Sequence, residues 1–128
     1  MATDPLMPIL VVDDLGAMGR IIRNLLQQCG FQRIDSATDG ASALARMRHT
    51  RYALVLSDWN MQPMSGIELL KEVRSDQALA RTPFIIMTAE SKTEHVMAAK
   101  QAGVDSYLIK PFNAQTLKTK IDAVFPDA

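Results

Sequence analysis

Three observations predict an α/β fold, a doubly wound five-stranded parallel sheet with helices on both faces. Four continuous apolar runs of strand length, Ile9–Val12, Ala53–Leu56, Phe84–Met87 and Tyr107–Ile109, punctuate the chain, as parallel strands buried on both faces require. Helix-period patterns separate them, giving crossovers long enough to bring each strand back parallel to the last. Three of the runs stop at short polar residues, in "ILVVDDL", "ALVLSDWNM" and "FIIMTAES", which gathers chemistry along one edge of the sheet.

Taken in order, the first strand, Ile9–Val12, is followed by a helical stripe of Met18, Ile21, Ile22, Leu25, Leu26 and Cys29, with Gly30 as a C-terminal stop. The stretch Arg33 to Ala37 is more polar, as an edge strand is. Asp39 is placed to cap a second helix carrying Ala43, Leu44 and Met47. After the strand Ala53–Leu56, Ser65 to Glu68 ("SGIE") reads as a capping box opening a third helix with Ile67, Leu70 and Val73. "SKTE", Ser91 to Glu94, repeats that signature before Val96, Met97 and Ala99, and Gly103 closes the helix. Asn113 is placed to cap a last helix whose stripe is Leu117, Ile121, Val124 and Phe125. Right-handed crossovers make this a flavodoxin-like (βα)5 sheet in the order 2-1-3-4-5.

The 128 residues fit one domain, 1–128, and since the chain ends just after the fifth helix no output domain is expected. Fourteen basic residues balance fourteen acidic ones with no run of like charge, which argues against a nucleic-acid binder needing a basic face. A single cysteine, Cys29, excludes an internal disulfide and reads as a core filler. The N-terminal apolar run is too short for a signal peptide or a span, so a cytoplasmic protein without membrane insertion is expected.

Ligands of such sheets bind beyond the carboxyl ends of the strands, at the switch point between strands 1 and 3. Asp13 and Asp14 end strand 1, Asp58 ends strand 3, Thr88 ends strand 4 and Lys110 ends strand 5. Singly, each has an ordinary reading: Asp14 as a helix cap, Thr88 as a strand end, Lys110 as a solvated lysine. Together, three carboxylates within a few ångströms repel. A hard divalent cation relieves that repulsion, and Mg2+ suits an incomplete oxygen cage with places left for water and phosphate. Asp58 can then act as a nucleophile that forms an acyl phosphate. Lys110 supplies a point charge to a second phosphoryl oxygen and the Thr88 hydroxyl a hydrogen bond to a third. A flavodoxin would need a Ser-, Thr- and Gly-rich loop after strand 1, and a dehalogenase-type phosphatase would need Asp-x-Asp; "VVDDLGA" is neither.

Over essentially its whole length the chain resembles the receiver domain of two-component response regulators of the single-domain chemotaxis type. "VVDD", "SDWNM", "GIELLKEVR", "IIMTAE" and "YLIKPF" carry the resemblance, with "RIIRNLL" in the first helix. It implies a phosphoprotein in which Asp58 accepts a phosphoryl group from a histidine kinase. Asp13, Asp14, Asp58 and the Asn60 backbone carbonyl would hold Mg2+, and Thr88 and Lys110 would read the phosphoryl group. The Lys110–Pro111 bond is often cis in such domains. Tyr107, Ala89, Glu90 and Pro111 would belong to a switch surface formed with helix 4, strand 5 and helix 5, with Tyr107 swinging inward as Thr88 moves. The partners implied are the kinase, a phosphatase and a flagellar motor switch protein, and a monomer is expected. A phosphate sink or relay intermediate is the rival within this class, and a phosphorylation-independent docking module the rival outside it. A turnover enzyme is not expected, because nothing beyond a phosphodonor has a place to bind.

Two departures from the family pattern stand out. The usual Met-Pro-x-Met-Asp-Gly loop reads "MQPMSG" here, Met61 to Gly66, with the proline one place later at Pro63. Gly19 loosens the first helix by up to roughly 1 kcal/mol relative to alanine. Trp59, next to the acceptor, is expected to report ligand binding by fluorescence, while His49 and His95, lacking ligand spacing, are expected to be plain surface residues.

Overall fold

A computed structural model describes residues 3–14, 16–89 and 91–125. Its elements alternate without interruption: β1 (Ile9–Val12), α1 (Gly16–Gln28), β2 (Ile34–Ala37), α2 (Gly40–His49), β3 (Leu54–Asp58), α3 (Gly66–Ser75), β4 (Phe84–Thr88), α4 (Thr93–Gln101), β5 (Ser106–Ile109) and α5 (Ala114–Val124). The five strands are parallel in the order β2-β1-β3-β4-β5, as the alternating pattern predicts.

The sheet is apolar on both faces because helices cover both. Along β1, Ile9 and Val11 join a cluster with Ile22 and Leu26 of α1 and Leu117 and Ile121 of α5. Leu10 and Val12 face the other way, into a cluster with Leu44 of α2, Leu69 and Leu70 of α3 and Ala99 of α4. The same alternation sends Leu54, Leu56, Ile85 and Met87 to the first cluster and Val55, Phe84 and Ile86 to the second. A side chain of this size fully removed from water contributes roughly 1.5–3 kcal/mol, so the two layers are the main source of stability. The edge strands are less covered: β2 exposes Asp35 and Ser36, and β5 exposes Ile109.

Local chemistry sets most helix boundaries. Asp39 accepts a hydrogen bond from the Ser42 N–H, Asn113 from the Thr116 N–H, and Ser65 and Glu68 form the reciprocal capping box. Gly30 and Gly103 close α1 and α4 at positive φ, +98° and +94°. In each case the glycine N–H and the next residue's N–H return to the last turn's carbonyls, a Schellman closure that favours glycine. One expected cap is absent. Helix α4 starts from Lys92 with no side-chain cap, so Ser91 lies one residue too early and Glu94 one position short of closing a box. Glu94 still places its charge in the first turn, where the helix dipole favours an acid.

Three further expectations are corrected. Ile21 and Met97 fall on solvent faces of their helices and are about half exposed (52% and 53%), whereas Leu69, adjacent to the expected Leu70, is fully buried. His95 is half buried rather than a plain surface residue. Cys29 does behave as a filler: it packs against the α1/α5 cluster and its thiol donates to the Ala114 carbonyl at 3.3 Å. Burial raises its pKa, which keeps the reactive thiolate scarce.

Two glycines test how α3 is seated. A Cβ on Gly66 would lie 2.2 Å from the Asp58 carbonyl oxygen, whereas one on Gly19 meets nothing within 4 Å. Gly66→Ala should therefore destabilise the fold by about 1–3 kcal/mol, and Gly19→Ala should stabilise it by roughly 0.5–1 kcal/mol, as read from urea unfolding midpoints at constant m. The capping box makes a second prediction. The Ser65 backbone N–H and hydroxyl hold the Glu68 carboxyl below the usual carboxylate range. A depressed folded-state pKa contributes stability above the unfolded value that is lost as pH falls through the folded value. The midpoint difference between the parent chain and Glu68→Gln should thus be present near neutral pH, begin to fall near the unfolded value of about 4.3, and be lost as pH drops through the depressed folded value.

Candidate functional site

Strand register levels the polar strand ends. Ile9 pairs with Leu54 and Val12 with Ser57, so the next residues on each strand, Asp13 and Asp58, emerge side by side. Asp58 pairs with Met87, and Thr88 pairs with Ile109, bringing Thr88 and Lys110 to the same edge. The Lys110 N–H donates to the Thr88 carbonyl at 2.8 Å, and the Trp59 N–H to the Met87 carbonyl at 2.9 Å. These bonds extend the ladder to the rim of the site. On its far side the Gly66 N–H donates to the Trp59 carbonyl at 2.8 Å, seating α3 against the end of β3.

The expected side chains do converge. One carboxylate oxygen from each of Asp13, Asp14 and Asp58 lies within 4.8 Å of the others. Asp13 and Asp58 are buried, whereas Asp14 is exposed at the mouth. The Lys110 ammonium donates to Asp58 Oδ1 at 2.9 Å and stands 3.8 Å from Asp13 Oδ2, too far to hydrogen-bond. Thr88 is 1% exposed. Asn60 lies exposed in the turn after Trp59, and Glu90 is outside the described residues. Asp58 is buried (5% exposed), with the exposed Asp14 carboxylate beside it.

Three carboxylates against one ammonium leave a net charge of −2 in a partly dry cleft, where charge interactions are stronger than in water. One ammonium, 3.8 Å from Asp13 Oδ2 and 2.9 Å from Asp58 Oδ1, offsets only part of this charge, so a further cation is favoured there. The donors are all carboxylate oxygens, three of them, and so leave coordination places open, as a hard, incompletely caged divalent ion such as Mg2+ accepts. Soft or borderline metals would want imidazole or thiolate, and the cluster contains neither.

Around this cleft lie the other residues of interest. The Lys110–Pro111 bond is cis, as is Gln62–Pro63 in the shifted loop. Ala89 and Pro111 line an apolar groove of about 460 Å3 whose opposite wall is Met18, Ile21, Ile22 and Leu25 of α1. They therefore face α1, on a different side from Tyr107. Tyr107 is half buried and meets the Trp59 indole edge-on, with centroids 6.4 Å apart at 77°. Trp59 also stacks on His95, at 4.7 Å and 27°, a contact invisible in sequence because it depends on where α4 docks. At the opposite end of the sheet a basin of about 420 Å3 is lined by Arg48, Arg51 and Arg81; it lacks a carboxylate cluster, and the chemistry belongs at the carboxyl edge.

Comparison with known proteins agrees with this geometry. The family model of the response regulator receiver domain matches residues 9–122. The chain is 46% identical over 119 residues to chemotaxis protein CheY-3 of Vibrio cholerae, covering 93% of this chain and 92% of that one. It is 45% identical to chemotaxis protein CheY of Pseudomonas aeruginosa, covering 93% and 96%. Among solved structures, V. cholerae CheY4 superposes with a TM-score of 0.86 at 33% identity, covering 93% of this chain and 98% of that one. The receiver domain of sensor histidine kinase PA1611 of P. aeruginosa, with a magnesium ion coordinated in its active-site cleft, superposes with a TM-score of 0.84 at 27% identity, covering 94% and 98%. With its parallel sheet, its acidic strand-end cleft and a family match over most of its length, this chain belongs to the response regulator receiver domains.

Proposed function

We propose that the chain is a Mg2+-dependent phospho-acceptor switch in which Asp58 is the acceptor. The observation that carries this reading is the convergence of Asp13, Asp14 and Asp58 within 4.8 Å, with the Lys110 ammonium 2.9 Å from Asp58 Oδ1. An Asp58 carboxylate oxygen attacks the phosphorus of a phosphohistidine on the kinase. The P–N bond breaks, the departing imidazole nitrogen takes up a proton, and an aspartyl phosphate forms. Mg2+, held by Asp13, Asp14, Asp58 and the Asn60 carbonyl, supplies charge neutralisation at the phosphoryl oxygens when bound. Lys110 moves from the Asp58 carboxylate to a phosphoryl oxygen, keeping a charge-assisted hydrogen bond in both states. The Thr88 hydroxyl donates to another oxygen, and the cleft walls limit the approach of water. Water attack on phosphorus later restores the carboxylate and releases inorganic phosphate.

The output follows from which parts of the cleft move. Thr88 and Tyr107 sit on adjacent strands that pair near the phosphoryl position, so drawing Thr88 inward changes the space available to Tyr107. In this reading phosphorylation shifts the population of an α4–β5–α5 surface, and a separate partner reads it. The names of the chemotaxis relatives support a chemotaxis role, for which the receiver resemblance implies a flagellar motor switch protein as that partner. The magnesium in the PA1611 receiver cleft supports the cation. On this reading the domain works in the cytoplasm as a monomer, and as a signalling module rather than a turnover enzyme.

Intact-mass spectrometry after incubation with acetyl phosphate tests the chemistry. A single phosphoryl adduct is expected with Mg2+, absent without it and absent in Asp58→Asn. Failure to form it, with no Mg2+ response of Trp59 fluorescence, would leave a docking module. If the adduct forms but a motor-switch peptide binds no tighter to it, the chain is a phosphate sink or relay. Lys110 makes a separate prediction, since its ammonium competes with any cation for the Asp58 oxygens. Lys110→Ala should bind Mg2+ about fourfold tighter or more, read from Trp59 emission, while its adduct yield falls.

A further inference from the structure

Helix α4 is the most lightly anchored helix of the structure. Among its described residues only Ala99 is buried, whereas α1, α2, α3 and α5 each bury two or more. Its first turn also lacks a side-chain cap. Few buried apolar contacts and a bare terminus mark an element drawn from the low-stability end of a fold.

One contact ties that first turn down. His95, in the first turn of α4, lies flat on the Trp59 indole at 4.7 Å and 27°, and the Tyr107 ring meets the same indole edge-on from β5. The three rings belong to three elements: the residue after the acceptor, the start of α4, and β5. His95 keeps this position at a cost, because its Nδ1 is buried and finds no hydrogen-bond partner among the described residues. A shielded polar nitrogen without a partner is unfavourable, and a rotation toward water would satisfy it. The Trp59 indole is the aromatic surface that the ring packs against, in offset stacking.

We propose that His95 is a positioning residue that tethers the first turn of α4 to the acceptor strand through Trp59. Loading of Asp58 then displaces Trp59 and carries α4 with it, a route that runs in parallel with Thr88 and Tyr107. The proposal rests on the reading of Asp58 as acceptor and adds the element by which its state reaches α4.

The test uses the full chain as parent, His95→Ala and His95→Phe. Adduct formation from acetyl phosphate is measured on each, followed by hydrogen exchange of residues 93–101 with and without Mg2+ and beryllofluoride as a stable acyl-phosphate mimic. In the parent, beryllofluoride is expected to change exchange across 93–101. In His95→Ala, exchange there should rise at least threefold in the free protein and lose its response to beryllofluoride, with the adduct yield unchanged. His95→Phe should restore both, because a stack needs a ring and not a nitrogen. An adduct on His95→Ala together with a parent-like helix response would overturn the tether alone. No adduct on any of the three chains would overturn the acceptor reading, and the coupling with it.

Discussion

The parallel pairing of β1 with β3 is the constraint on which the rest of the site depends. Ile9 opposite Leu54 and Val12 opposite Ser57 bring Asp13 and Asp58 out at the same height. A slip of one residue would send every side chain of a strand to the opposite face, moving Ile9 and Val11 out of the α1/α5 layer. Apolar burial on both faces of the sheet therefore holds the acidic cluster in place. The hydrophobic layers thus enforce a polar arrangement that is unfavourable by itself.

That arrangement is poised rather than relaxed. Three carboxylates share one ammonium, and the 2.9 Å bond from Lys110 goes to Asp58 rather than Asp13, at 3.8 Å. Removing one partner from a buried charge pair is far more costly than exchanging it for another. On the proposed reading, a phosphoryl group on Asp58 would offer Lys110 a new anion in nearly the same place, so both states could use the same lysine with little rearrangement. The cleft is closed by backbone contacts, Gly66 against the Asp58 carbonyl and Trp59 bonded to Met87, so the adaptable parts are the side chains and the helix beyond them.

How much of this was legible in the sequence depended on range. Asp39, Ser65 and Asn113 act as caps as expected, because a cap is decided within four residues. Ser91 fails by the same rule: α4 begins at Thr93, and a one-residue shift puts Ser91 and Glu94 out of capping position. Ile21 and Met97 fit the helical period yet point outward, since periodicity marks an apolar face without saying how wide the covered part is. The stack of His95 on Trp59 joins residues 36 positions apart and leaves no local signal.

By itself, the sequence determined the alternation of strands and helices, the parallel topology and the identity of the five polar strand ends. Each of these follows from short-range periodicity and from the rule that such sheets bind ligands beyond their carboxyl edge. Tertiary structure alone decided that Asp58 is buried, that Lys110 favours Asp58 over Asp13, that Ala89 and Pro111 face α1, and that His95 stacks on Trp59. Those outcomes depend on how helices pack onto the sheet. Packing is set by the summed shape of many distant side chains, which no local pattern encodes.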